Sequence, residues 1–124
     1  MKIEMEISDK RIADLLVTGL EGGYMAPLCI TKIYPGHGDG DPWSGDYTPD
    51  YIRAPFSKGG GVGFEDEEEP GEEMVLTREK MEKGLQIMSE KYPQHFSDFI
   101  RENEDAITGD VFLQCALLGD IVYG

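Results

Sequence analysis

Thr108-Gly109-Asp110-Val111-Phe112-Leu113-Gln114-Cys115-Ala116-Leu117-Leu118-Gly119 is the stretch that decides the fold. Thr108 can cap a helix and Gly119 can end it, and between them the residues are apolar nearly all round. A helix without a polar face has to lie at the centre of a core or in a subunit interface, so the rest of the chain is read as what surrounds it. Upstream, Arg101-Glu102-Asn103-Glu104-Asp105 is a polar break. Pro93 opens a short helix with Phe96, Phe99 and Ile100 on one side, since proline is well tolerated in a first turn. Before it, Thr77 caps a helix whose buried stripe is Met81, Gly84, Leu85 and Met88.

Further out, the period changes from helix to strand. Gly61 to Asp66 and Glu73 to Thr77 read as two strands joined by a turn at Pro70-Gly71. Tyr24 to Tyr34 reads as another strand, with Pro27 marking an edge or bend. Lys2 to Ile7 alternates charged and apolar residues and reads as a first strand. Ser8 then caps a helix over residues 9 to 20, with Ile12, Leu15, Leu16 and Leu20 at helical spacing and Gly22-Gly23 as the stop. Ile121 to Tyr123 can return as a last strand. The expected fold is α+β: a small antiparallel sheet packed against three to four helices, in a single domain spanning residues 1–124.

The 124 residues suffice for one core and not for two. A 40% share of hydrophobic residues is enough for a packed interior and excludes wholesale disorder. No apolar run approaches the roughly 18 residues that a membrane span requires, and the alternating N-terminus lacks the unbroken apolar stretch of a signal peptide. Cys29 and Cys115 sit far apart in apolar surroundings and read as buried, reduced thiols of a cytoplasmic protein. The net charge of -14 repels free nucleic acid and anionic membranes, so neither is expected as a partner. The same charge can serve solubility alone, or imitate a phosphate backbone.

Between Pro35 and Gly63 the chain is rich in glycine and proline, yet it also carries His37, Trp43, Tyr47, Tyr51, Arg53, Phe56 and Lys58. A plain linker has few aromatics, and long loops in compact domains tend to be functional. The aromatic rings offer stacking faces, Arg53 and Lys58 offer phosphate-pairing groups, and Gly59-Gly60-Gly61 lets backbone N–H groups approach an anion. Trp43, Tyr47, Tyr51, Arg53, Lys58 and His37 are therefore the candidate ligand-binding set. The competing readings are an aromatic mini-core that pins the loop, and a protein-contact surface. Seven of the nine residues from Glu65 to Glu73 are acidic, which suits a solvated hairpin tip. As an alternative partner-binding surface it would use Glu65, Asp66, Glu67, Glu68 and Glu69.

Catalytic motifs are absent: there is no Gly-x-Ser-x-Gly, Walker A loop, His-Glu-x-x-His or Cys-x-x-Cys. His37 and His95 lie in no nucleophile motif. Asp39-Gly40-Asp41 with Ser44, Gly45 and Asp46 resembles a calcium loop, but Trp43 and Ser44 stand where the EF-hand pattern needs a ligand and a glycine. No enzyme activity, cofactor or metal is expected.

Three segments together resemble small proteins of bacteriophages and prophages. These are Ile7-Ser8-Asp9-Lys10-Arg11-Ile12-Ala13-Asp14-Leu15-Leu16 with Glu21-Gly22-Gly23, then Glu90-Lys91-Tyr92-Pro93-Gln94-His95-Phe96, and last Thr108-Gly109-Asp110-Val111-Phe112-Leu113-Gln114-Cys115 through Val122-Tyr123-Gly124. The resemblance covers both ends of the chain and leaves out the aromatic loop. It implies a phage origin and expression in a bacterial host cytoplasm, and carries over no catalytic residue. Phage proteins of this size are often counter-defence factors. Some sequester nucleotide messengers of host immunity, usually as oligomers, and others are acidic DNA mimics that block a CRISPR or restriction complex. The expectation is a homo-oligomer that binds a small nucleotide-like ligand without cleaving it. The alternatives are a mimic that binds a host defence protein and a virion assembly or interaction factor.

Overall fold

The computed structural model describes residues 6–21, 27–37, 41–43 and 48–123. Helix α1 (Asp9–Glu21) is followed by strand β1 (Leu28–Tyr34), a one-turn helix α2 (Asp50–Arg53) and a 3-10 turn over Ala54–Phe56. Strands β2 (Gly61–Asp66) and β3 (Glu73–Leu76) come next, then helices α3 (Arg78–Lys91), α4 (Pro93–Ile100) and α5 (Ala106–Leu118). The strands form one antiparallel sheet in the order β1-β2-β3, so the chain is a single α+β domain. Gly61 pairs with Tyr34 and Asp66 with Leu28, with a register shift between Ile30 and Lys32.

Helix α5 is the axis of the molecule. Every residue from Thr108 to Leu117 is buried, and α1, α3, α4 and β3 all pack against it. Its apolar circumference is thus consumed inside its own chain. Two close crossings make this possible: Gly19 of α1 meets Gly109, and Gly84 of α3 meets Ala116, where an added Cβ would stand 2.8 Å from the alanine Cβ. Phe64 and Phe99 beside it and its own Phe112 are fully buried, and cutting any of them to alanine costs about 3–5 kcal/mol.

Several local expectations hold. Thr77 caps α3 by accepting the Lys80 N–H at 3.3 Å, and the buried stripe of α3 is Met81, Gly84, Leu85 and Met88. Ser8 accepts the Arg11 N–H at 3.3 Å, as the cap of α1 should. Gly119 ends α5 in the left-handed region at φ 81°.

Others are corrected. Thr108 is not the cap of α5. Asp105 is, and Thr108 is the residue whose N–H it accepts at 2.9 Å, because a capping carboxylate bonds three residues ahead. Ile121–Tyr123 forms no strand. The buried Gln114 side chain takes the place of a strand partner: its Oε1 accepts the N–H groups of Val122 and Tyr123 at 2.9 Å each, and its Nε2 donates to the Tyr123 carbonyl at 2.8 Å. Ile100 is 40% exposed rather than packed beside Phe99. The stretch read as one long loop holds α2 and the 3-10 turn. Of the expected first strand, residues 2–5 lie outside the described residues, and Glu6 and Ile7 are not strand. Gly22, Gly23 and the beginning of the Tyr24–Tyr34 segment also lie outside them.

Candidate functional site

The aromatic segment is held by acids. Asp41 accepts the Trp43 N–H through Oδ1 at 3.1 Å and the Thr48 hydroxyl at 2.6 Å, and its Oδ2 takes Arg53 Nη2 at 3.3 Å. The first of these is the local turn bond that aspartate favours two residues ahead. Trp43 Nε1 donates to Asp14 of α1 at 3.0 Å, and the Tyr51 hydroxyl donates to Glu21 at the end of α1 at 3.1 Å. Burial raises the Tyr51 phenol pKa, and the Glu21 bond raises it further. Trp43 and Tyr51 are half-buried and lean on the core. The mini-core reading therefore describes much of what these aromatics do.

His37 and Lys58 are brought together by a second device. Their backbones form an isolated antiparallel bridge in which the His37 N–H donates to the Lys58 carbonyl at 2.9 Å. The turn Ser57–Gly60, closed by Gly60 N–H to the Ser57 carbonyl at 2.9 Å, packs flat on Pro35–His37. A Cβ on Gly36 would stand 2.6 Å from the Lys58 carbonyl oxygen, and one on Gly60 would stand 2.8 Å from the Gly36 nitrogen. Glycine is thus required here for close backbone approach. Gly59, at φ 77° with open space beside it, makes the turn itself.

Two hollows of about 390 Å³ each flank that turn and share Ser57. One is lined by Ile33, Pro35, Gly36, Asp50 and Arg53. The other is lined by Lys58, Gly59, Gly60 and the start of α3 at Thr77, Arg78 and Glu79. The Arg53 side chain is 42% exposed, its ion pair to Asp41 is half-buried, and its Nε is buried without a hydrogen-bond partner among the described residues. Lys58 and His37 are exposed, and among the described residues Lys58 makes no ion pair. Tyr47 lies outside the described residues.

Arg78 escaped the sequence reading. It opens α3, where the helix dipole favours an anion, and such a cation signals a specific partner. That partner is Asp9, gripped through both guanidinium nitrogens at 2.7 and 2.9 Å, while Nη2 also donates to the Phe56 carbonyl at 3.1 Å. The guanidinium also lies 5.5 Å from the Phe56 ring centroid. Its bond to Asp9 raises the Arg78 pKa, and the same bond lowers that of Asp9.

The acidic tip divides. Asp66 is buried and accepts the Tyr123 hydroxyl at 2.5 Å and the Glu68 N–H at 2.9 Å, so it belongs to the fold. Glu65 is half-buried and takes the Gly71 N–H at 3.0 Å. Glu67, Glu68 and Glu69 are exposed.

Among the described residues, no group of three or more His, Cys, Asp or Glu is arranged to hold a metal ion, and no helix is long and apolar enough to cross a membrane. Asp39, Ser44, Gly45 and Asp46 of the calcium-like stretch lie outside those residues. Both cysteines are free thiols; Cys115 is buried, and burial raises its pKa to about 11. Comparison of the chain with protein-family models, with curated proteins and with solved structures finds no match.

Proposed function

We propose that this chain is a binding protein that holds a phosphorylated, nucleotide-type small molecule across the Ser57–Gly60 turn without cleaving it. The observation that supports the reading is the Ser57–Gly60 turn, tied to His37 by its backbone bridge to Lys58, with Arg53 in the hollow on one side of the turn and Lys58 in the hollow on the other. In a chain of net charge -14, a phosphate has few places where cations and turn N–H groups gather. The Arg53 side chain is 42% exposed and meets Asp41 by one contact at 3.3 Å, so a phosphate can compete for the guanidinium. Trp43 and Tyr51 serve this site by tying the segment to α1 through Asp14 and Glu21, rather than as free stacking plates.

The phage resemblance supports placing the activity in a bacterial host cytoplasm, as a counter-defence factor that sequesters an immune nucleotide signal. Its support for a homo-oligomer comes from that resemblance alone, because α5 is enclosed by its own chain. The mimic alternative would act on a host defence protein through Glu67, Glu68 and Glu69, the exposed part of the tip.

The test is a thermal-shift screen against cyclic and linear nucleotides, ADP-ribose derivatives and cyclic dinucleotides. A ligand at about a hundred times its dissociation constant stabilises the fold by about 2.7 kcal/mol, which is several degrees in a domain of this size. The expected result is a shift with one class that disappears in Lys58→Ala and His37→Ala, whose exposed side chains make no hydrogen bond or ion pair among the described residues. A flat screen with folded protein would sink the reading, and Glu67→Gln/Glu68→Gln/Glu69→Gln would then be tested for loss of a protein partner.

A further inference from the structure

Tyr51 and Arg53 stand two residues apart on α2, a spacing that puts side chains on different faces of a helix. Arg53 faces the hollow described above. Tyr51 lines a separate cavity of about 360 Å³ between the last turn of α1, β1 and α5. That volume lies in the range of small-molecule sites.

The cavity has an apolar body, supplied by Leu20, Leu28, Phe64 and Leu113. Ile30 lines it too and is 41% exposed, so apolar surface is left open to solvent beside it. Its charged lining among the described residues is all of one sign: Glu21, Glu67 and Asp110, with no lysine, arginine or histidine. The Tyr51 hydroxyl holds the Glu21 carboxylate in place at 3.1 Å. Asp110 is only 2% exposed and accepts Gln114 Nε2 at 2.8 Å, so one carboxylate of the set is buried in the wall. The Cys29 thiol, also in the lining, is pushed up first by desolvation and then by the charges of Glu67 and Glu65.

A carboxylate against apolar wall is stabilised by a cation brought next to it and destabilised by another anion. A phosphate-bearing ligand is therefore repelled here. We infer that this cavity is a second binding site, and that it takes a small organic cation: an ammonium group carried on an apolar body, with the body against Leu20, Phe64 and Leu113 and the charge toward Glu21 and Glu67. The site is independent of the nucleotide reading: it shares no residue with the hollows at the Ser57–Gly60 turn, and it lacks the cations that they contain.

Isotopically labelled protein titrated with phenethylamine, with phenethyl alcohol, with phenylpropionate and with methylammonium, at constant ionic strength, tests it. Phenethylamine should produce saturable amide shifts centred on Leu20, Ile30 and Leu113. The alcohol should bind at least about tenfold more weakly, a difference of about 1.4 kcal/mol, and the carboxylate should not bind. Glu21→Gln/Glu67→Gln, at two exposed positions where glutamine still accepts the Tyr51 hydrogen bond, should lower the phenethylamine affinity to that of the alcohol. Equal shifts with methylammonium would reduce the effect to general attraction by an acidic protein and overturn the site. Unchanged affinity in the double variant, equal binding of the carboxylate, or no shift with any probe would overturn it as well.

Discussion

Gly19 and Gly109 meet backbone to backbone where α1 crosses α5. A Cβ built on Gly19 would stand 2.6 Å from the Gly109 carbonyl oxygen, and one built on Gly109 would stand 2.6 Å from Gly19 Cα. The obstacle is main chain on both sides, so no change of rotamer relieves it. Gly109→Ala should lose about 1–3 kcal/mol through overpacking, despite the gain of about 1 kcal/mol that alanine brings to a helix interior. Urea denaturation of Gly19→Ala and Gly109→Ala measures this, and wild-type stability in either variant would mean that the helices do not cross at these glycines.

Trp43 is the one tryptophan of the chain, and its indole N–H rests on Asp14 at 3.0 Å. Its fluorescence therefore reports whether the loop is pinned to α1. Asp14→Ala should shift the emission to the red and cost about 1 kcal/mol, the usual net worth of such a bond. An emission spectrum identical to wild type would show that Asp14 does not hold the ring.

The stability of the fold should fall at both ends of the pH scale, for opposite reasons. Asp120 is held down to about 2, from an ordinary 3.8, by the Tyr92 hydroxyl first and then by Lys91. A lowered pKa gives stability that is present above 3.8 and lost as pH falls toward about 2. Tyr123 is pushed up from 10.0 to about 12 by its bond to Asp66 and then by burial. A raised pKa gives stability that is present below 10 and lost as pH rises toward about 12. Tyrosinate absorbance should show a late-titrating phenol that vanishes in Tyr123→Phe. A wild-type protein whose phenols all ionise together near the ordinary value, while still folded, would contradict the Asp66–Tyr123 bond.

Much of this fold is legible in local patterns. The strands Gly61–Asp66 and Glu73–Leu76, the Thr77 cap with its stripe Met81, Gly84, Leu85 and Met88, and the glycine stop at Gly119 all follow from periods and turn chemistry that a few neighbouring residues set. The candidate site was less legible. Arg53 and Trp43 were visible as residue types, but their joint attachment to Asp41 was not, and Arg78 was silent because its partner Asp9 lies 69 positions away. Asp66 looked like one more acid of the tip. It is a buried hydrogen-bond acceptor because Tyr123, 57 positions on, returns beside it.

The order of α1, the three strands, α3, α4 and α5, the acidic net charge and the need for α5 to be enclosed were set by the sequence alone, since each depends on composition or on spacings within one or two turns. Tertiary structure alone decided what encloses α5, which acids are spent inside the fold, and that α2 sends Arg53 and Tyr51 into two separate hollows. Those outcomes come from contacts between residues far apart in the chain. Such contacts depend on how α1, the sheet and the Ser57–Gly60 turn come to rest on one another, and no local period encodes that.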